Sequence, residues 1–148
     1  MNKDFMYEAL KLADIAAKNG DVPVGAVIVK NGKVIAEGYN RREVAGDPTA
    51  HAEVEAIRKA AETEGSWHLE DCELFVTLEP CPMCAGAIIN SRIKRVFFGA
   101  YEPKTGSCSK DSVVNLFDLP YNHKPEVYGG ICEKDCAEQL KDFFKDKR

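Results

Sequence analysis

Between Val24 and Ala100 the hydrophobic period of the chain switches repeatedly between that of a strand and that of a helix. "VGAVIVK" is a short apolar run rich in β-branched residues, Asn31-Gly32 is a two-residue hairpin signal, and "KVIAEGYN" returns as a second strand. "DPTAHAEVEAIRKAAETEG" then reads as a loop feeding a helix. Asp47 or Thr49 is placed to cap it, Ala52, Ala56, Ile57 and Ala60 form its apolar face, and Gly65 ends it. "ELFVTL" reads as a strand, "PMCAGAIINS" as a helix and "RVFFGA" as a strand. Strand, strand, helix, strand, helix, strand is the order of a helix-covered sheet that is parallel in part.

The flanks complete this α/β reading. Met6, Leu10, Ala13 and Ala17 mark an amphipathic first helix that stops at Asn19-Gly20. Beyond Tyr101 the pattern weakens: "PKTGS" is a turn, "VVNLF" a short ordered piece, and "KPEVYGG" a candidate last strand. Cys136, Leu140, Phe143 and Phe144 recur with helical spacing, so a closing helix is expected with both phenylalanines in the core. No linker interrupts the pattern, and 148 residues suit one domain spanning 1–148.

Charge and apolar run lengths exclude some functions. With 20 Lys and Arg against 24 Asp and Glu the net charge is −4, so binding of nucleic acid by bulk charge is not expected. Local basic candidates remain at Arg41 and Arg42, in "SRIKR", at Lys104 with Lys110, and in "KDFFKDKR". Apolar stretches such as Val22 to Val29 are far short of the ~20 residues of a membrane helix, and "MNKDFMYEAL" has no secretory apolar core. A cytoplasmic protein without a membrane partner is therefore expected, with its six cysteines reduced.

Cys81 and Cys84 stand where a strand gives way to a helix, on one face of its first turn and facing the positive end of its dipole. His51 occupies the same kind of position upstream, in "HAE". Two neighbouring helix starts at one end of a sheet would bring an imidazole and two thiolates to one zinc ion, leaving a fourth position open. A four-thiolate structural site using Cys132 and Cys136 and a redox CxxC pair are the competing readings; Cys72 and Cys108 suit core or surface positions. Glu53, two residues beyond His51, reaches a metal's water without taking a metal position. HxE with PCxxC is the signature of zinc nucleobase deaminases, in which the Glu is the acid/base.

"VPVGAVIV", "DPTAHAE", "LFVTLEPCPMCAGA", "SRIKRVFFGA" and "PKTGS" together resemble the bacterial tRNA-specific adenosine deaminase family, within the cytidine deaminase-like superfamily. The resemblance covers about Phe5 to Phe144. It implies a three-layer α/β/α sandwich around a five-stranded mixed sheet, a homodimer, one Zn2+ per subunit, and RNA editing of adenosine to inosine at the wobble position of an arginine tRNA. It carries His51, Cys81 and Cys84 over as zinc ligands and Glu53 as proton shuttle. Asn40 and Ala52 are carried over as base contacts and Asn122 and His123 as an Asn-His pair near the RNA. Tyr101 and the basic tail, Lys141, Lys145, Lys147 and Arg148, are further candidate contacts with the tRNA anticodon loop. Before "KTG", where several members carry Asp, this chain reads Tyr101-Glu102-Pro103. The alternatives are a deaminase of a free nucleobase, nucleoside or nucleotide (guanine, cytidine, deoxycytidylate) and an RNA-binding or scaffold module with structural zinc.

Overall fold

In the computed structural model, which describes residues 2–146, the elements follow the expected order with the short helix α2 added: α1 (Asn2–Lys18), β1 (Gly25–Lys30), β2 (Lys33–Tyr39), α2 (Arg42–Ala45), α3 (Ala52–Glu64), β3 (Cys72–Leu78), α4 (Pro82–Ser91), β4 (Arg95–Ala100), β5 (Glu126–Tyr128) and α5 (Glu133–Asp146). The strands form one mixed five-stranded sheet in the order β2-β1-β3-β4-β5, antiparallel at β2-β1 and β1-β3, parallel at β3-β4 and β4-β5. β1 alone runs against the others. The carboxyl ends of β2, β3 and β4 and the entry to β1 therefore share one edge of the sheet.

Alternation of side chains along the strands builds two apolar layers. Ala26, Ile28, Leu74, Val76, Val96 and Phe98 pack under α3 and α4, whereas Val27, Val29, Phe75 and Phe97 pack under α1 and α5. The result is the expected three-layer sandwich. Close packing of helix on sheet relies on small residues. A Cβ on Gly38 would strike the Ala52 carbonyl and lie 2.7 Å from the Ala56 amide, so α3 rests directly on β2. Gly25 serves α1 in the same way, with the Ala13 amide 2.6 Å from where its Cβ would be.

Some local expectations shift. The buried stripe of α1 is Met6, Ala9, Leu12, Ala13 and Ala16, with Leu10 and Ala17 on its flanks, because the helix is seated on Gly25 through Ala9 and Ala13. Asp47 and Thr49 do not cap α3: Asp47 Oδ1 accepts from the Thr49 amide and hydroxyl, each at 2.8 Å, and His51 is the residue at the cap. The piece "VVNLF" ends in a short 3-10 turn, Leu116–Asp118. α5 buries Cys136, but Phe143 is only half-buried and Phe144 is exposed, so neither phenylalanine belongs to the core.

Candidate active site

The shared sheet edge converts sequence-distant residues into one cluster. α3 begins after β2 and α4 after β3, so both helices start side by side, with His51 and Cys81 at their N-caps. His51 Nδ1 lies 3.7 Å from Cys81 Sγ and 3.5 Å from Cys84 Sγ, and the three ligand atoms fall within 4.8 Å of one another. One imidazole nitrogen and two thiols converging at that spacing fit a tetrahedral zinc site with a free position. Among the described residues this is the one such cluster. The four-thiolate model fails because Cys136 lies in the layer under α5, on the other face of the sheet. The redox model fails to account for the imidazole beside both thiols.

Electrostatics favour the thiolate at Cys81. Hydrogen bonding from Cys84 holds the Cys81 thiol down at about 4 against its burial, with His51 assisting. The same bond to Cys81, together with burial, raises Cys84, so metal binding must displace a proton there. The His51 imidazole is raised by its contact with Cys81. Glu53, nearly fully buried as the second residue of α3, is pushed up to about 7 chiefly by burial, the range in which a carboxyl can both take and give a proton.

His51, Glu53 and Cys81 floor a cavity of about 220 Å3 walled by Val22 and Val24 at the β1 entry, Asn40 and Arg42 after β2, Leu78 and Glu79 at the end of β3, Glu102 and Thr105 after β4, and Phe144 from α5. It is smaller than the ~300–1,000 Å3 typical of sites enclosing a drug-sized ligand. A single base fits such a space better than a whole nucleotide.

Asn40 belongs to this wall and is also structural. Its Oδ1 accepts the Ala52 amide at 2.9 Å and its Nδ2 donates to the Val22 carbonyl at 3.1 Å, leaving one amide hydrogen for a ligand. Ala52 is fully buried and donates its N–H to Asn40 Oδ1. Tyr101 packs edge-on against Phe98 and lines a different cavity, about 560 Å3, beside Lys110, Phe117 and Lys124. Asn122 is exposed, and His123 Nε2 sits 2.6 Å from the Ile93 carbonyl, just before β4 at the opposite edge of the sheet. Lys141 and Lys145 are exposed on α5; Lys147 and Arg148 lie outside the described residues. Sequence reasoning missed Phe144, Thr105 and the seating of Arg42. The Arg42 guanidinium is held to the buried Asp21 carboxylate by Nε at 3.2 Å and Nη2 at 3.1 Å.

Residues 1–100 match the family model of the cytidine and deoxycytidylate deaminase zinc-binding region. Fold and metal cluster thus place the molecule among the zinc-binding deaminases. It is 46% identical over 144 residues to the tRNA-specific adenosine deaminase of Bacillus subtilis strain 168, covering 97% of this chain and 89% of that protein. To the Agrobacterium fabrum protein of the same name it is 46% identical over 145 residues, covering 97% and 94%. A solved structure from a study of A-to-I editing by tRNA:A34 deaminases superposes with a TM-score of 0.88 at 45% identity, covering 92% of this chain and 98% of that one. The chain belongs to the bacterial tRNA-specific adenosine deaminase family. A guanine deaminase structure from Bacillus subtilis is also similar, with a TM-score of 0.63 at 50% identity over 66% of this chain and 63% of that one.

Proposed function

We propose that this protein is a zinc-dependent hydrolase that deaminates adenosine to inosine at the wobble position of a tRNA, arginine tRNA first among the candidates. The observation that carries the reading is the buried Glu53 carboxyl beside the His51, Cys81 and Cys84 donors, on the floor of a cavity the size of one base. His51, Cys81 and Cys84 would hold the zinc, which supplies a nucleophile from water at neutral pH. Glu53 would take one proton from water and deliver it to N1 of the adenine, so that C6 accepts the hydroxide, and would then pass the remaining hydroxyl proton to the amine as the C6–N bond breaks and the C6 carbonyl forms. Water is consumed, and ammonia and inosine leave.

Asn40 offers its remaining amide hydrogen to the base, and Val22, Val24 and Phe144 give it apolar walls. A base must leave any stack to enter, which an anticodon loop permits at small cost. Arg42 at the wall, with Lys141 and Lys145 exposed on the helix that carries Phe144, supports a path for the loop's phosphates. We assign the chain one domain, a cytoplasmic location and an RNA-editing role. Among the described residues no helix is long and apolar enough to cross a membrane. A homodimer is proposed, for which exposed apolar side chains such as Met83, Val113 and Tyr121 are available. Similarity to a guanine deaminase favours a second reading, deamination of a free base in the same cavity.

The test is inosine formation on an arginine-tRNA anticodon stem-loop beside free adenosine, cytidine, deoxycytidylate and guanine, with zinc-loaded wild type, Glu53→Ala and Cys81→Ser. Inosine in the RNA alone is expected. Glu53→Ala should keep its zinc and lose about 10²–10⁴-fold in rate, while Cys81→Ser should lose zinc. Turnover of guanine without the RNA reaction would transfer the assignment to the second reading.

A further inference from the structure

Glu79 is a buried carboxylate outside the metal cluster and outside the proton path. It follows β3 directly and is 3% exposed. Its Oε1 accepts the Glu102 amide at 3.0 Å; its Oε2 accepts the Cys108 amide at 3.0 Å and the Ser109 hydroxyl at 3.0 Å. All three donors are uncharged and all belong to the segment that leaves β4. The next residue continues the clamp, since the Pro80 carbonyl accepts the Ser107 amide at 3.1 Å and the Ser107 hydroxyl at 3.0 Å. A Cβ on Gly106 would run into the Glu79 carboxylate, so the loop backbone is closed tightly around it.

An ionised carboxyl in a buried position is costly unless its lone pairs are filled. Here one loop supplies three donors, and Glu79 lines the base cavity together with Glu102 and Thr105 of that loop. "PKTGS" has weak secondary-structure signal of its own, so its shape comes from these contacts. We propose that Glu79 is a positioning residue for substrate: it moulds segment 102–109 into the wall that receives the nucleotide, and selection of the RNA depends on that wall. The proposal deepens the tRNA reading above and rests on it for the identity of the substrate.

A glutamine at this position keeps the shape but turns one acceptor into a donor facing an N–H. Losing one charge-assisted hydrogen bond corresponds to about tenfold. Three readouts on zinc-loaded Glu79→Gln separate the roles: amide hydrogen exchange across 102–109 without RNA, zinc per chain, and KM and kcat on the anticodon stem-loop. Expected are exchange about tenfold faster in 102–109, full zinc, and a KM raised about tenfold with a smaller change in kcat. Ser109→Ala, which removes one donor and leaves the carboxylate, should shift exchange and KM the same way by about threefold, and decides the matter if Glu79→Gln does not fold. Unchanged exchange, an unchanged KM, or loss of zinc in place of a KM effect would overturn the proposal. Wild type that makes no inosine would sink the tRNA reading alone, because the exchange data are collected without RNA and still report on Glu79.

Discussion

Replacing Asn40 by alanine should destabilise the protein far more than removal of a surface polar group, because Asn40 ties the start of α3 to the entry of β1. Two hydrogen bonds go with it. The Ala52 amide belongs to the first turn of α3, whose cap residue His51 makes no side-chain capping bond, and Ala52 is fully buried. With the Asn40 side chain gone that N–H loses its partner, which costs about 1–3 kcal/mol. The Val22 carbonyl loses its Nδ2 partner but borders the cavity, where water substitutes in part, adding about 1 kcal/mol. The sum is roughly 2–4 kcal/mol, or a melting temperature lower by roughly 5–15 °C. Asn40→Asp keeps an acceptor for the Ala52 amide, places negative charge at a helix start and loses only the Val22 bond, so about 1 kcal/mol is expected. The assay is urea unfolding followed by far-UV circular dichroism, with all variants at the same free zinc because bound metal shifts apparent stability. Asn40→Ala within 0.5 kcal/mol of wild type, on the ordinary scale of neutral surface changes, would refute the capping argument. So would an aspartate variant as unstable as the alanine one. With the fold preserved, Asn40→Asp also isolates the base contact: a raised KM on the stem-loop is expected, since the spare amide hydrogen is gone.

Gly38→Ala should lift α3 from β2, costing about 1–3 kcal/mol or more and lowering zinc affinity because His51 heads that helix; a variant with wild-type melting and zinc content would show that the helix-sheet contact yields easily. Asp21→Asn gives a pH-dependent result. Burial raises the Asp21 carboxyl, but the Glu43 amide, Arg42 and the Val22 amide outweigh it and leave it below its usual 3.8. A depressed carboxyl stabilises the fold fully above that value, and the contribution is lost as pH falls through the lower folded-state value. The melting gap between wild type and Asp21→Asn should therefore be widest near neutrality and close below about pH 3.8; a gap constant through acid would contradict the charge-based account.

What the sequence exposed and what it concealed differ in range. The strand-helix alternation, the hairpin at Asn31-Gly32 and the placement of His51, Cys81 and Cys84 at helix starts are local signals, and each appears in the structure where expected. Their convergence needed only the direction of the strands: β2 and β3 run the same way, so the helices after them begin at the same edge. The pocket wall follows no such pattern. Phe144 fits the apolar period of α5 as well as Cys136 does, yet the helix leaves it exposed at the cavity mouth. Only the tertiary position of α5 separates the two. Asn40 reads equally well as a strand-end turn residue, because its partners, Val22 and Ala52, flank it at long range.

His123 is the converse case. It carries a residue type suited to RNA contact, but the segment from Tyr101 returns to the start of β4 before β5 begins, so the chain has already left the catalytic edge when it reaches His123. The Glu126 amide bonds to the Lys94 carbonyl at 3.0 Å, which fixes that return at the amino end of β4. Any contact between His123 and RNA bound at this chain's own zinc pocket would have to span the length of the strand, six residues at about 3.3 Å each. RNA that reaches His123 must therefore extend well beyond the base in the pocket or lie against a second copy of the chain. The parallel β4-β5 pairing thus keeps His123 about one strand length from the cluster of His51, Glu53, Cys81 and Cys84.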